Sequence, residues 1–282
     1  PAVAAAALQL RAKPRMGEFT AAVLHECMAQ VVGNASEIAA GSLADEHVHQ
    51  VRVGLRRLRT ALRELPGLSG ARESFEPVLV RVFQGLGERR DRTHVLRTIA
   101  PQVEAAGGPP LRVPAHFHEG ADAGELVRAS DFQDALLALF DHAEEARRTR
   151  GEPVRRAMRP PLDKLQKQVT REGRRFTRLA QEEQHQVRKR LKRLRYLSEF
   201  VAPLFSKKSV QRYLAGVKPA QEALGLYNDE IIAQAIYEEL EASDPGARFG
   251  ALWLQSRRAG EAKSCRKSLR ALESAQAFWE KR

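Results

Sequence analysis

The sequence predicts an all-α protein built as two tandem helical bundles related by internal duplication. Three observations carry this. Apolar residues recur at helical spacing, and no stretch alternates with the period of a strand. An eleven-residue segment occurs twice, 136 positions apart: His49–Arg59 and His185–Arg195 agree at eight of eleven positions, and Arg56 is answered by Lys192. A weaker echo, Leu-Gly-x-x-(Arg/Asn)-Asp, relates Leu86–Asp91 to Leu224–Asp229 at an offset of 138.

Taken in order, residues 1–16 read as a tail or linker. The first bundle spans 17–150. Phe19, Val23, Cys27, Val31 and Ile38 mark an amphipathic helix from Gly17 to about Ala40, ended by Gly41. Ser42 and Asp45 resemble a capping box that opens a second helix, which runs to Leu65 before Pro66-Gly67. A third helix is expected over 72–87 and a fourth over 91–105, with Gly87 as the corner between them. Residues 107–130, rich in Gly and Pro, read as irregular, and a fifth helix covers 131–149. Gly151-Glu152-Pro153 joins the halves, since proline suits the first turn of a following helix. The second bundle, 151–282, repeats the pattern. Its helices are expected to end near Leu179 and Pro203, then to span 207–224 and 228–241, with Gly225 as a corner. A last helix runs from about Arg248, with a break near Gly260.

The charge is the second informative property. Forty-seven Lys and Arg against 35 Asp and Glu leave a net +12 and a pI near 10.1. Such an excess predicts a polyanionic partner. Two cysteines, Cys27 and Cys265, give neither a disulfide framework nor zinc spacing. They fit a reducing, cytoplasmic setting. No apolar run approaches the ~20 residues needed to span a bilayer, and the Ala-rich start lacks a basic signal-peptide region. The chain opens on Pro1, as a piece of a longer protein would.

Placed on a helix at about 100° per residue, His49, Arg52, Arg56, Arg59 and Arg63 fall within an arc of about 80°. Val51, Leu55, Leu58, Leu62 and Leu65 occupy the neighbouring arc. In the second copy His185, Arg188, Lys192 and Arg195 form the same stripe beside Val187, Leu191 and Leu194. Lys189 and Arg190 widen it, and Glu199 stands where Arg63 would be. Neither copy contains an acidic residue. Solvated helix faces normally mix signs, because like charges at i,i+4 repel. An external anion is therefore expected to supply the missing charge. Arg52 to Arg63 spans roughly 16 Å along the axis, which suits a linear ligand with closely spaced anionic groups. The acids cluster elsewhere, around Glu119–Glu145 and Asp229–Asp244.

The segment Val48-His49-Gln50-Val51-Arg52-Val53-x-Leu55-Arg56-Arg57-Leu58-Arg59 resembles the signature of the CHAD domain, the conserved histidine α-helical domain. Lys192-Arg193-Leu194-Arg195-Tyr196 and the Leu-Gly-x-x-(Arg/Asn)-Asp segments are similar to that family's other motifs, so the resemblance covers about residues 17–280. It implies two bundles related by pseudo-twofold symmetry, with basic faces turned to a shared groove or pore. It further implies binding of inorganic polyphosphate and association with polyphosphate granules in prokaryotic cells. Many members follow a CYTH domain. Carried over, His49, Arg52, Arg56, Arg59, His185, Arg188, Lys192 and Arg195 are the expected anion ligands. Arg63, Lys189 and Arg190 add to them by geometry, and Arg89 is a further secondary candidate. Arg57 and Arg193 point 80–100° away from the stripe and are expected to tie down Asp91 and Asp229. Gly54 stands where the family often has alanine.

Two other readings stay open. Glu46-x-x-His49 and Glu182-x-x-His185, with Glu26 and Glu172, have the spacing of a ferritin-like di-metal site. The cations after each histidine oppose metal binding, and no metal or cofactor is expected; His116-x-His118 reads as loop residues. Non-specific nucleic-acid binding needs only a cationic surface, but aromatics for base stacking are not interleaved with the stripe. No nucleophile–base arrangement and no phosphate-cradling Gly loop stands out, so the chain reads as a binding module rather than an enzyme. The basic C-terminal run Arg257–Arg270 reads equally as an extension of the anion surface or as a solvated face. If His49 and His185 donate to the anion, their protonation near pH 6 strengthens binding.

Overall fold

The computed structural model describes residues 1–11, 13–42, 44–114, 117 and 121–280, with Arg89 and Arg90 described by backbone alone. His116, His118 and Glu119 lie outside the described residues. Ten α-helices and no strand are present among the described residues. They are α1 (Met16–Ala39), α2 (Asp45–Glu64), α3 (Ser69–His94), α4 (Ala100–Ala105), α5 (Ala123–Arg128), α6 (Ser130–Arg148), α7 (Val154–Arg174), α8 (Gln181–Val201), α9 (Lys207–Leu240) and α10 (Ala247–Ala271). None is long and apolar enough to cross a membrane among the described residues.

The apolar stripes go where the helical spacing sends them. Phe19, Val23, Cys27 and Val31 of α1 are fully buried, as are Val51, Leu55 and Leu58 of α2 and Val187 and Leu194 of α8. They belong to one continuous core that takes residues from both sides of the 150/151 join. A smaller core packs Val95, Ile99 and Val103 against Ala233, Tyr237, Ala251 and Leu254 of α9 and α10. The starts of α1 and α7 are laced together: the Met16 amide donates to the Glu152 carbonyl at 3.0 Å, and the Val154 amide to the Pro14 carbonyl at 3.3 Å.

The two expected corners are absent. The backbone runs helically through Gly87, and a π-helical turn, Val95–Ile99, joins α3 to α4. The wide turn lies just before Pro101, whose ring and missing N–H cannot join an α-helical ladder. Likewise α9 passes through Gly225 without interruption for 34 residues. A glycine ends a helix by adopting positive φ. Gly41, Gly67, Gly107 and Gly151 do so, with φ from 61° to 94°, whereas Gly87 and Gly225 do not. Gly87 serves close approach instead, since a Cβ there would overlap the Arg52 guanidinium.

Smaller differences have similar causes. The Ser42/Asp45 capping box does not form; Ala44 is the N-cap of α2, and the Ser42 hydroxyl only accepts a long bond from the Ala44 amide at 3.4 Å. Helix α10 is unbroken at Gly260. The helix expected to end near Leu179 stops at Arg174, followed by a 3₁₀ turn, Phe176–Arg178.

Because Gly225 sits inside a helix with no atom within 4 Å of an added Cβ, Gly225→Ala should stabilise the protein by about 0.5–1 kcal/mol. Thermal or urea unfolding measures this, and destabilisation would restore the corner.

Candidate functional site

The two repeat helices, α2 and α8, touch and are cross-linked by salt bridges. Arg57 of α2 reaches Glu199 of α8 at 3.5 Å, and Arg193 of α8 reaches Glu64 of α2 at 2.6 Å. Arg57 also donates to Glu26 of α1 at 2.5 Å, inside a nearly closed environment. The expected pairing of these arginines with Asp91 and Asp229 is thus overturned. Each points off the cationic stripe towards the facing helix, where a half-buried carboxylate already waits. Arg190 is taken in the same way by Glu172 of α7, at 2.5 Å.

The stripes themselves divide into a compensated rim and an uncompensated centre. At one end of α2, Arg59 binds Glu76 of α3 through Nε and Nη2, at 3.2 and 2.7 Å, and exposed Arg63 lies 3.8 Å from the same carboxylate. On α8, Arg195 pairs with Glu199 at 3.0 Å and lies over the Tyr196 ring. The stripes are therefore less bare than the repeat alone predicts, because Glu76 lies outside it on α3.

The centre is Arg56, Arg188 and Lys192. None has an ion pair within 4.0 Å among the described residues, and the buried Nε of Arg188 makes no hydrogen bond among them. Burial, then the charges of Arg56, Arg188 and Arg195, push the Lys192 ammonium down to about 6, against the opposing pull of Asp229. Burial and Arg56 likewise lower Arg188, with Asp229 and Asp91 acting the other way; as a guanidinium it stays protonated. These effects place Arg56 of α2 beside the α8 cations and bring Asp91 of α3 and Asp229 of α9 to the edge of the same cluster. Asp229 lies 3.7 Å from His94, so α3 and α9 meet beneath it.

Phe83 of α3 organises the first stripe. The guanidinium carbons of Arg52, Arg56 and Arg59 lie 4.7, 5.2 and 5.7 Å from its ring centroid. Sequence reasoning missed Phe83. The available signal was its i,i+4 relation to Gly87, which puts a ring and a gap on one face of α3, both filled by Arg52.

The histidines are held differently from the arginines. Half-buried His185 is hydrogen-bonded to Asn228 of α9, and burial, Lys189 and Arg188 lower its pKa. The expected gain of binding from its protonation therefore moves to lower pH. His185 and Arg188 line a cleft of about 290 Å³ with Leu224, Tyr227, Asn228 and Ile231. His49 is half-buried on α2, and Lys189 is exposed. Arg89 has no described side chain, so its secondary role lies outside the described residues. In the C-terminal run, Arg257 binds Glu230 of α9 at 2.8 Å and Arg258 binds Gln234, so both serve α9–α10 packing.

The di-metal arrangement does not assemble. Glu26 and Glu172 are committed to Arg57 and Arg190. Glu46 and Glu182 accept from Gln50 and Gln186, one turn along their own helices. No cluster of three potential metal ligands occurs among the described residues. Both thiols are buried, and desolvation pushes Cys27 and Cys265 up to about 12.

The CHAD domain family matches residues 22–238 of the chain. The protein belongs to that family. Among solved structures, the CHAD domain from the plant Ricinus communis superimposes with a TM-score of 0.80 at 24% identity, covering 98% of this chain and 99% of its own. PptA from Streptomyces chartreusis aligns with a TM-score of 0.55 at 18% identity, covering 95% and 100%. These likenesses concern the fold. No curated protein matches the chain.

Lys192 carries a pKa near 6 when folded and an ordinary value near 10.5 when unfolded. Across that window the unfolded chain binds more protons, so the lysine favours unfolding increasingly as pH falls from 10.5 to 6. Lys192→Met should therefore melt above wild type at pH 7, with the gap narrowing towards pH 10, as calorimetry would show.

Proposed function

We propose that the protein binds inorganic polyphosphate across the α2–α8 cluster and through it associates with polyphosphate granules. The observation that carries the reading is the uncompensated centre: Arg56, Arg188 and Lys192 crowded together without an ion-pair partner among the described residues. Two like charges about 6 Å apart repel by roughly 3 kcal/mol at an effective dielectric near 20. Each buried Leu or Val beneath them contributes roughly 1.5–3 kcal/mol, enough to hold the cations in place but not to neutralise them. A phosphate chain supplies the missing negative charge at several points, and arginine forks match its oxygens. His49, Arg59, Arg63, His185, Lys189 and Arg195 extend the surface along both helices, and buried Arg52 supports it from below, packed against Phe83. The role is binding rather than catalysis.

Nucleic acid is the weaker fit. Base stacking needs open aromatic faces, whereas Phe83 is covered by three arginines and Tyr196 by Arg195. At equal phosphate concentration, duplex DNA should fail to displace medium-chain polyphosphate.

Reversal of two central charges tests the reading directly. With about 1.5 kcal/mol or more lost per charge-assisted contact, Arg56→Glu/Lys192→Glu should weaken polyphosphate binding at least about a hundredfold. Unchanged affinity in a calorimetric titration removes the proposal. The pH dependence is a second test. Bound phosphate raises the Lys192 pKa from about 6, so binding takes up a proton and wild-type affinity falls between pH 6 and 8. Lys192→Arg, permanently charged, should flatten that decline; an equal slope in both proteins contradicts it.

A further inference from the structure

The cleft of about 290 Å³ between α8 and α9 has an apolar side made by Leu224, Tyr227, Ile231 and Ile232. It lies where the two cores meet, since half-buried Ile231 packs against the larger and half-buried Ile232 against the smaller. Tyr227 is fixed in place: its hydroxyl donates to Gln184 at 2.7 Å, and its ring meets Phe176 edge-on at 5.7 Å. His185, which holds the Asn228 side chain, and Arg188 complete the lining. Arg188 is thus common to the cleft and to the cationic centre. At the 138-residue offset Tyr227, Ile231 and Ile232 answer Arg89, Thr93 and His94, so the apolar side belongs to the second copy alone. Phe83 is answered there by Gln221. Arg52 lies on the Phe83 ring and against Gly87, whereas nothing lies within 4 Å of a Cβ added at Gly225. Arg188 therefore lacks the ring and the gap that absorb Arg52, and its buried Nε makes no hydrogen bond among the described residues.

We infer that the cleft takes the base of a nucleoside phosphate, whose phosphates lie on Arg188 and the cationic centre beside it. The inference rests on the phosphate-binding reading above. A bare phosphate chain gains nothing from an apolar side, whereas a flat ring buries both faces' edges of apolar surface against it. The Asn228 amide has donor and acceptor capacity beyond its bond to His185, enough for one base edge. A polyol phosphate would press hydroxyls against the isoleucines without hydrogen-bond partners, which is costly. The volume stands at the lower end of small-molecule sites, about 300 Å³, so the cleft admits one ring system. A nucleic-acid strand needs a platform for successive bases, which one such cleft does not supply.

The experiment titrates the whole protein with ATP and with inorganic tripolyphosphate by calorimetry, without magnesium. Both ligands present three linked phosphates, and tripolyphosphate carries more charge because none of its oxygens is esterified. Electrostatics alone therefore favours tripolyphosphate. Burial of roughly 60 Å² of ring surface should instead make ATP bind about tenfold tighter. Ile231→Thr/Ile232→Thr, close in shape to wild type, should bring ATP to within about threefold of tripolyphosphate and leave tripolyphosphate binding unchanged. A second measurement needs no variant: in saturation-transfer NMR on wild type, irradiated protein methyls should pass more saturation to the base protons of ATP than to its ribose. Tripolyphosphate binding as tightly as ATP or tighter overturns the inference and leaves the phosphate-binding reading standing. An ATP preference that survives the double substitution overturns the placement of the base in this cleft. ATP that binds while tripolyphosphate and medium-chain polyphosphate do not overturns the polyphosphate reading and leaves a nucleotide site. If none of the three binds, both are overturned.

Discussion

Burial of the apolar stripes of α2 and α8 forces Arg56, Arg188 and Lys192 into one another's field, and the surrounding elements are arranged around that repulsion. The helices cannot rotate the cations away without exposing Val51, Leu55, Leu58, Val187, Leu191 and Leu194, all essentially inaccessible to solvent. Hydrophobic burial per side chain outweighs pairwise repulsion near a surface, so the crowding is retained and Lys192 is pushed towards its neutral form. The folded protein therefore holds Arg56, Arg188 and Lys192 together with no carboxylate at ion-pair distance among the described residues.

Counter-charge is distributed to stabilise the frame while sparing the centre. Glu26, Glu64 and Glu199 neutralise Arg57 and Arg193 where α1, α2 and α8 pack. Glu76 takes Arg59, and Glu172 takes Arg190. These pairs are half-buried or buried and hydrogen-bonded, the condition under which removal of one partner is strongly destabilising. Asp91 and Asp229 stop short of ion-pair distance from Arg188 and Lys192, softening the repulsion without cancelling it. Phe83 adds a ring against which three guanidinium groups lie, which fixes long side chains that would otherwise sample many rotamers.

Much of this was legible residue by residue. The helical period of Val51–Leu65 and Val187–Leu194 located the buried stripes, and the cations one arc away followed from the same geometry. The glycine corners were misread because Gly87 and Gly225 look like helix ends in isolation. Only the φ angle separates a cap from a close approach, and at Gly87 it is the arrival of Arg52 from another helix that requires the missing Cβ. Arg57 and Arg193 were misassigned for a related reason: their partners lie 31 to 142 positions away, on helices whose approach no local pattern encodes. The metal reading dissolved in the same manner, once Glu26 and Glu172 were found against arginines.

By itself the sequence determined the class of fold and the two cationic helices, because periodicity and net charge are local or additive properties. Tertiary structure alone decided which cations are neutralised, which face each other and which of them is forced towards the neutral state. Those are matters of distance and desolvation between α2, α3, α8 and α9, and eleven residues repeated 136 positions apart cannot state how close they will come.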